Sequence, residues 1–180
     1  SKVYAFHLGR TYRESYGMFI CNGILFNHES PRRGLNFVTN KIVEGAVRIS
    51  EGKQDKLALG NLNATRDWGH AKDYVKAMWL MLQHDTPDDY VCATGESHSV
   101  RDLCKLVFSK LGMNYSDYVT VDPKYYRPFE LHDLKGDAIK AEKVLNWSKE
   151  YTFESMIDEM LNQRDNHGRV RFYADSATKG

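Results

Sequence analysis

The sequence predicts an α/β fold, and three observations carry the prediction. Short apolar runs of strand length alternate along the chain with segments whose apolar residues recur at helical spacing. One run, residues 18–26 (MFICNGILF), is almost unbroken by polar groups, as expected of a strand covered on both faces at the centre of a parallel sheet. The composition, 42% hydrophobic and 12% aromatic, can fill a core, which that of a disordered chain cannot. A chain of 180 residues can bury roughly 70% of the surface it exposes when unfolded, so one domain, or a large piece of one, needs no disulfide or metal to hold it.

Each element follows in order. Val3, Tyr4, Phe6, His7 and Tyr12 mark a helix over residues 1–16, stopped at Gly17, which suits a left-handed helix end. The apolar run 18–26 follows as a strand. Residues 27–34 (NHESPRRG) are polar and hold Pro31 and Gly34, which predicts a loop. Phe37, Val38, Ile42, Ala46, Val47 and Ile49 recur at helical spacing up to Gly52, and Leu57-Ala58-Leu59 reads as a brief strand before Gly60-Asn61. Tyr74, Val75, Met78, Trp79 and Leu82 form an apolar stripe over 70–84, ahead of a strand at Tyr90-Val91-Cys92-Ala93. Ser99 and Asp102 resemble a capping box opening a helix with Val100, Leu103, Val107, Phe108 and Leu111, ended by Gly112. Shorter helices near 137–145 and 152–161 close the ordered part, the later, more helical half forms a smaller lobe, and the polar tail 164–180 is expected to fray.

Charge and cysteine usage exclude several classes. The 25 Lys plus Arg against 24 Asp plus Glu give a net charge of +1, without the basic excess that drives nucleic-acid binding. No stretch reaches the roughly 20 apolar residues of a membrane span, and the N-terminus has no signal-peptide pattern. Cys21, Cys92 and Cys104 are odd in number and far apart, so they read as buried thiols of a reducing cytoplasm. The seven histidines show no H-E-x-x-H spacing, which argues against a catalytic metal. A G-x-S-x-G elbow is absent. No two of the 13 glycines lie closer than Gly17 and Gly23, so the chain holds no dinucleotide-binding glycine loop. Met78-Trp79-Leu80-Met81-Leu82 reads as core, and Asp67, Asp73, Asp88 and Asp89 as capping or solvated carboxylates. The chain lacks an initiator Met and is expected to begin inside a longer sequence.

In open α/β sheets, ligands gather beyond the carboxyl ends of the strands. The 27–34 segment holds that place, and its His28 and Arg33 suit an anionic or nucleotide ligand, although a solvated turn accounts for them equally well. Lys41, Arg66 and Arg127 also stand in or beside loops and helix starts. Aimed into one crevice, such forked and pointed cations grip a diphosphate.

The runs Tyr12-Arg13-Glu14-Ser15-Tyr16-Gly17, Asn22-Gly23-Ile24-Leu25-Phe26-Asn27-His28-Glu29-Ser30-Pro31-Arg32-Arg33-Gly34, Phe37-Val38-Thr39, Leu59-Gly60-Asn61, Arg66-Asp67-Trp68-Gly69 and Tyr126-Arg127-Pro128 resemble the GDP-mannose 4,6-dehydratase family, in order from residue 1 to about 162. That family lies within the extended short-chain dehydrogenase/reductases. The resemblance implies the C-terminal part of a Rossmann-like NAD(P)-binding fold with a smaller substrate-binding lobe. On that basis, residues 1–163 interleave the end of a cofactor domain with a GDP-sugar-binding lobe, and 164–180 are a polar tail that matches nothing in the family. It implies a lyase in which NADP accepts hydride from C4 of the mannosyl ring of GDP-mannose, water leaves across C5 and C6, and hydride returns to C6, on a route to GDP-fucose or related deoxysugars. Lys2 resembles the lysine of the catalytic Tyr-x-x-x-Lys, whose tyrosine falls before Ser1. That lysine lowers the tyrosine's pKa and holds the nicotinamide ribose. Carried over by position, Lys2, His28 and Arg33 contact NADP, while Asn27, Lys41, Gly60, Asn61, Arg66, Arg127 and Glu130 line the GDP-sugar site. Asn40 stands where the family usually carries an arginine. The resemblance further implies a cytoplasmic enzyme, a dimer or tetramer when full length, with no nucleic-acid or membrane partner. The isolated 180-residue chain, without tyrosine or glycine loop, is expected to be inactive. Two rivals stay open: a non-catalytic GDP-sugar-binding module, and an epimerase or reductase acting on a different nucleotide sugar.

Overall fold

The computed structural model describes residues 1–126 and 133–163. Helix α1 (Lys2–Tyr16) ends at Gly17 with φ 64°, the left-handed stop that glycine adopts without a Cβ penalty. The chain then reverses into strand β1 (Asn22–Leu25). Arg13 donates to the Ile20 carbonyl at 3.0 Å, and Asn22 donates to the Phe6 carbonyl at 3.4 Å, so α1 lies antiparallel along β1. β1 pairs in parallel with β6 (Asp89–Cys92), with Asn22 opposite Asp89 and Leu25 opposite Cys92. Arg13 grips both oxygens of Asp89 at 2.9 and 3.1 Å, clamping α1 to the head of β6. Asp89 is therefore an ion-paired tie, and Asp88 likewise pairs with Lys140, rather than either being a solvated carboxylate.

The run 18–26 departs from its expected place. Only four of its residues form strand, β1 has a single neighbour among the described residues, and Met18, Phe19 and Ile24 are 47%, 45% and 43% exposed. An apolar run reports a demand for cover and not where the cover sits. Here helix α3 (Ala71–Gln83) meets part of it through Met81, whose methyl approaches Gly23. The same holds for Met78-Trp79-Leu80-Met81-Leu82: Met81 is buried, but Trp79 and Leu82 on the other face are 59% and 61% exposed.

Two apolar clusters hold the molecule. The first joins Ile42, Val43 and Ala46 of α2 (Val38–Ser50), Leu103, Val107 and Phe108 of α4 (Val100–Lys110), and Met156, Ile157 and Met160 of α6 (Phe153–Asn162), all fully buried. Each of the larger side chains contributes roughly 1.5–3 kcal/mol by leaving water. Along its edge β3 (Leu57–Leu59) pairs in parallel with β8 (Val119–Val121). The second cluster packs Tyr74, Ala77 and Met81 of α3 against Tyr90 and Cys92 of β6, Ala141 and Leu145 of α5 (Ile139–Leu145), and Trp147. Both clusters draw on early and late stretches of the chain.

The Ser99–Asp102 capping box forms as the sequence indicates, with Asp102 N 3.0 Å from Ser99 Oγ and Ser99 N 3.1 Å from the Asp102 carboxylate. Asp73 is 2% exposed and accepts from the amides of Glu150 and Tyr151 at 3.1 and 3.2 Å, so it is a buried tie from α3 to the link before α6. His70, at the head of α3, accepts from Lys72 N through Nδ1 and stands 2.8 Å from Glu159 through Nε2. That leaves the proton on Nε2, and burial pushes the imidazole's pKa down, which favours the neutral ring. Cys92 and Cys104 are buried free thiols, whereas Cys21 is only half-buried. No described helix is long and apolar enough to cross a membrane.

Candidate functional site

The segment 27–34 is not wholly a loop. Asn27–Glu29 forms strand β2, parallel to β5 (Trp68–His70), and only the turn beyond it is irregular. Polar residues hid this strand because it pairs at the mouth of a cleft, where its side chains serve the cavity. Beside it β4 (Thr65–Arg66) runs antiparallel to β7 (His98–Ser99). Strand periodicity puts Arg66 and Trp68 on one face and Asp67 on the other.

A cavity of about 410 Å³ opens at this junction, lined among others by Asn27, Glu29, Arg33, Phe37, Lys41, Gly60, Asn61, Arg66, Trp68 and Tyr125. Six of the residues singled out from the sequence therefore line one cavity: Asn27, Arg33, Lys41, Gly60, Asn61 and Arg66. Lys41 projects from α2, donates to the Ala58 carbonyl at 2.9 Å and sits 4.0 Å from the centre of the Tyr125 ring. At Gly60 a Cβ would lie 2.6 Å from the Tyr125 carbonyl oxygen, so the absent side chain is what lets the two backbones close the floor. Asn61 turns the chain by accepting from Asn63 N at 2.9 Å. Arg66 donates to the Thr65 carbonyl at 2.6 Å.

Arg33 is held more tightly. Its Nε is buried and lies 3.1 Å from Glu29 Oε2, and its guanidinium carbon stands 3.4 Å over the Phe37 ring. Asn40 donates to the Arg33 carbonyl, so the residue that departs from the family pattern braces the turn. Glu29, 2% exposed, also accepts from Thr39 Oγ1 at 2.6 Å. Burial pushes its pKa up, against the opposing pull of Thr39 and Arg33.

Asp67 is fully buried, against expectation. It accepts from Thr94 N at 2.9 Å, Thr94 Oγ1 at 2.7 Å, Gly95 N at 3.0 Å and Gly136 N at 3.1 Å. Two loops are thereby tied to the strand that carries Arg66 and Trp68. Glu29, Phe37, Trp68, Tyr125 and Asp67 escaped the sequence reading as site residues.

Other expected residues fall elsewhere. His28 does not line the cavity; its ring stacks on Tyr74 with centroids 5.0 Å apart, and Nδ1 lies 2.9 Å from the Phe26 carbonyl. Lys2 stands at the start of α1, one turn before Phe6 and so toward the carboxyl end of β1. Arg127 and Glu130 lie outside the described residues. No cluster of potential metal ligands occurs among the described residues.

Among the described residues that line the cavity, three cations outnumber one carboxylate, a positive balance that suits a dianion. A sequence profile of the family described as GDP-mannose 4,6 dehydratase matches residues 1–160. GDP-mannose 4,6 dehydratase 2 of Arabidopsis thaliana is 57% identical over 152 residues, covering 84% of this chain and 41% of that one. GDP-mannose 4,6 dehydratase of Homo sapiens is 48% identical over 179 residues, covering 90% of this chain and 48% of that one. Among solved structures, RMD from Pseudomonas aeruginosa complexed with NADPH superposes with a TM-score of 0.79 at 20% identity, over 87% of this chain and 52% of that chain. This last likeness shows a shared fold, Rossmann-like and α/β. The chain spans about half the length of these relatives or less. With the profile running from α1 into α6, the chain belongs to the GDP-mannose 4,6 dehydratase family.

Proposed function

We propose that the cavity binds the GDP portion of GDP-mannose and that the chain is the substrate-gripping part of an NADP-dependent GDP-mannose 4,6-dehydratase. One observation carries this reading: Arg33, Lys41 and Arg66, from a turn, a helix and a strand, line one cavity. Arg presents paired donors to phosphate oxygens and Lys a compact charge, so the three divide between the two phosphates of a nucleotide sugar. Asn27, Gly60 and Asn61 add hydrogen-bonding groups beside them, and Arg127 and Glu130 complete the substrate site in this proposal.

A nicotinamide dinucleotide supplies the temporary hydride acceptor in such a reaction. The residues of this chain proposed to contact it are Lys2, exposed at the carboxyl end of β1, His28, half-buried where β1 passes into β2, and Arg33, whose guanidinium also borders the cavity. Lys2 makes no side-chain hydrogen bond or ion pair among the described residues, which leaves its ammonium to hold a ribose hydroxyl and to favour an ionised tyrosine nearby. NADP, rather than NAD, is part of the proposal. So are a cytoplasmic location, a place on a route to GDP-fucose or related deoxysugars, and a homodimer or homotetramer that uses the exposed Val3 and Leu8 of α1.

In this proposal the 180-residue chain does not turn over GDP-mannose by itself. Incubated with GDP-mannose and NADP it yields no 4-keto product; appreciable turnover would refute that. Competition separates the rival substrates: GDP displaces bound GDP-mannose, whereas UDP and dTDP do not, and equal displacement by all three favours an epimerase-like site.

A further inference from the structure

We infer that Glu29 is a positioning residue for the anion site: its carboxylate fixes Arg33 by Nε so that the terminal nitrogens of the guanidinium are presented to the ligand. The inference rests on the reading of the cavity as a diphosphate site and names the group that makes it competent. Arg33 Nε is buried and ion-pairs with Glu29 Oε2 at 3.1 Å without an aligned hydrogen bond, and neither terminal nitrogen has a hydrogen bond among the described residues. The fork is thus held at its root and open at its tips. Three further contacts make the hold rigid: Thr39 Oγ1 at 2.6 Å fixes the same carboxylate oxygen, Phe37 lies under the guanidinium at 3.4 Å, and Asn40 fixes the Arg33 backbone. A flexible Arg would lose side-chain entropy on gripping an anion, and an Arg already ordered loses less.

A carboxylate 2% exposed on the wall of an anion site opposes ligand binding by its charge, so its retention needs a compensating role. Presenting Arg33 supplies one. Burial raises the Glu29 pKa, so its ionised form gives way to the protonated form at a higher pH than an ordinary glutamate's. The grip is complete above that raised value and lost as pH falls through it. The groups facing Glu29 are Arg33 from the turn, Thr39 from α2, His28 from its own strand and Tyr74 from α3.

The test is calorimetric titration of GDP-mannose, whose diphosphate diester does not change charge in this range, into wild-type, Glu29→Gln, Glu29→Asp and Arg33→Gln chains from pH 7.5 down to 5. Glu29→Gln keeps the side-chain volume, and near neutral pH it binds about ten-fold more weakly, the order of one lost charge-assisted contact. Glu29→Asp, which keeps the charge on a shorter arm, recovers part of that loss. Wild-type affinity falls as the pH drops, and the difference between its profile and that of Glu29→Gln isolates Glu29 from His28, which both chains retain. If Glu29→Gln matches wild type in affinity and profile while Arg33→Gln weakens binding, the inference fails and the site stands. If wild type itself does not bind, the proposed function fails and the inference falls with it.

Discussion

Replacing Asp67 by Asn changes one atom in a fully buried position and is expected to cost several kcal/mol. One oxygen of Asp67 accepts from Thr94 N and Thr94 Oγ1, the other from Gly95 N and Gly136 N. An Asn can keep the first pair by aiming its carbonyl at Thr94. Its amide then points two N–H donors at two backbone N–H donors, and both amides lose their acceptor away from water. Each buried unsatisfied group costs about 1–3 kcal/mol, so the variant loses roughly 4 kcal/mol. For a chain of this size that lowers the melting temperature by roughly 10 °C. The assay is denaturant unfolding of wild type and Asp67→Asn followed by circular dichroism at one pH, with midpoint and slope fitted separately. A loss below about 1 kcal/mol at unchanged slope would show that the loops do not depend on Asp67, and the account of how Arg66 and Trp68 are held would be refuted.

Further expectations follow from the same contacts. In Gly60→Ala the new Cβ meets the Tyr125 carbonyl oxygen at 2.6 Å, so the backbones must part; destabilisation of about 1–3 kcal/mol and weaker GDP-mannose binding are expected, and wild-type values for both would contradict the tight floor. Burial pushes the Cys92 thiol up to about 11 and Cys104 up to about 12. Mass spectrometry after alkylation of the native chain at pH 8 should therefore find the label on Cys21, and rapid labelling of Cys104 would count against a closed first core. Burial pushes the Asp89 carboxyl up, but the hydrogen bonds from Arg13 and Asn22 outweigh it and hold the pKa below the usual carboxylate range. The stability this gives is present above the unfolded-state pKa and is lost as pH falls through the lowered folded value. Arg13→Gln should thus cost about 1–2 kcal/mol at pH 7 and progressively less in acid, and a penalty independent of pH would mean the clamp is not ionic.

Local chemistry was legible where one segment settles its own structure. Gly17 stops α1, Ser99 and Asp102 cap α4, and the spacing of Ile42, Ala46 and Ile49 marks α2 because these signals act within a few residues. Strand β8 was not legible, since Val119–Val121 is three residues long and becomes a strand only by pairing with β3, some sixty residues earlier in the chain. The same is true of β2: a polar Asn-His-Glu carries no strand signal until Trp68-Gly69-His70 lies beside it. At the site, cations were readable as a class because Arg and Lys announce their charge. Glu29 and Asp67 were not, because a carboxylate in sequence looks solvated and only the fold reveals how deeply it is buried. His28 lies off this cavity with its ring stacked on Tyr74, apart from the anion-site residues, and its cofactor contact stays part of the proposal.

The convergence of Arg33, Lys41 and Arg66 on a diphosphate is the claim on which the functional account stands. It is tested most directly by titrating GDP-mannose into the wild-type chain and into the combined Arg33→Gln, Lys41→Gln, Arg66→Gln variant, with folding of both verified by circular dichroism. The account predicts saturable binding to wild type that weakens with added salt, and no measurable binding to the neutralised variant. Equal affinity in the two chains, or no binding to a folded wild-type chain, would contradict it.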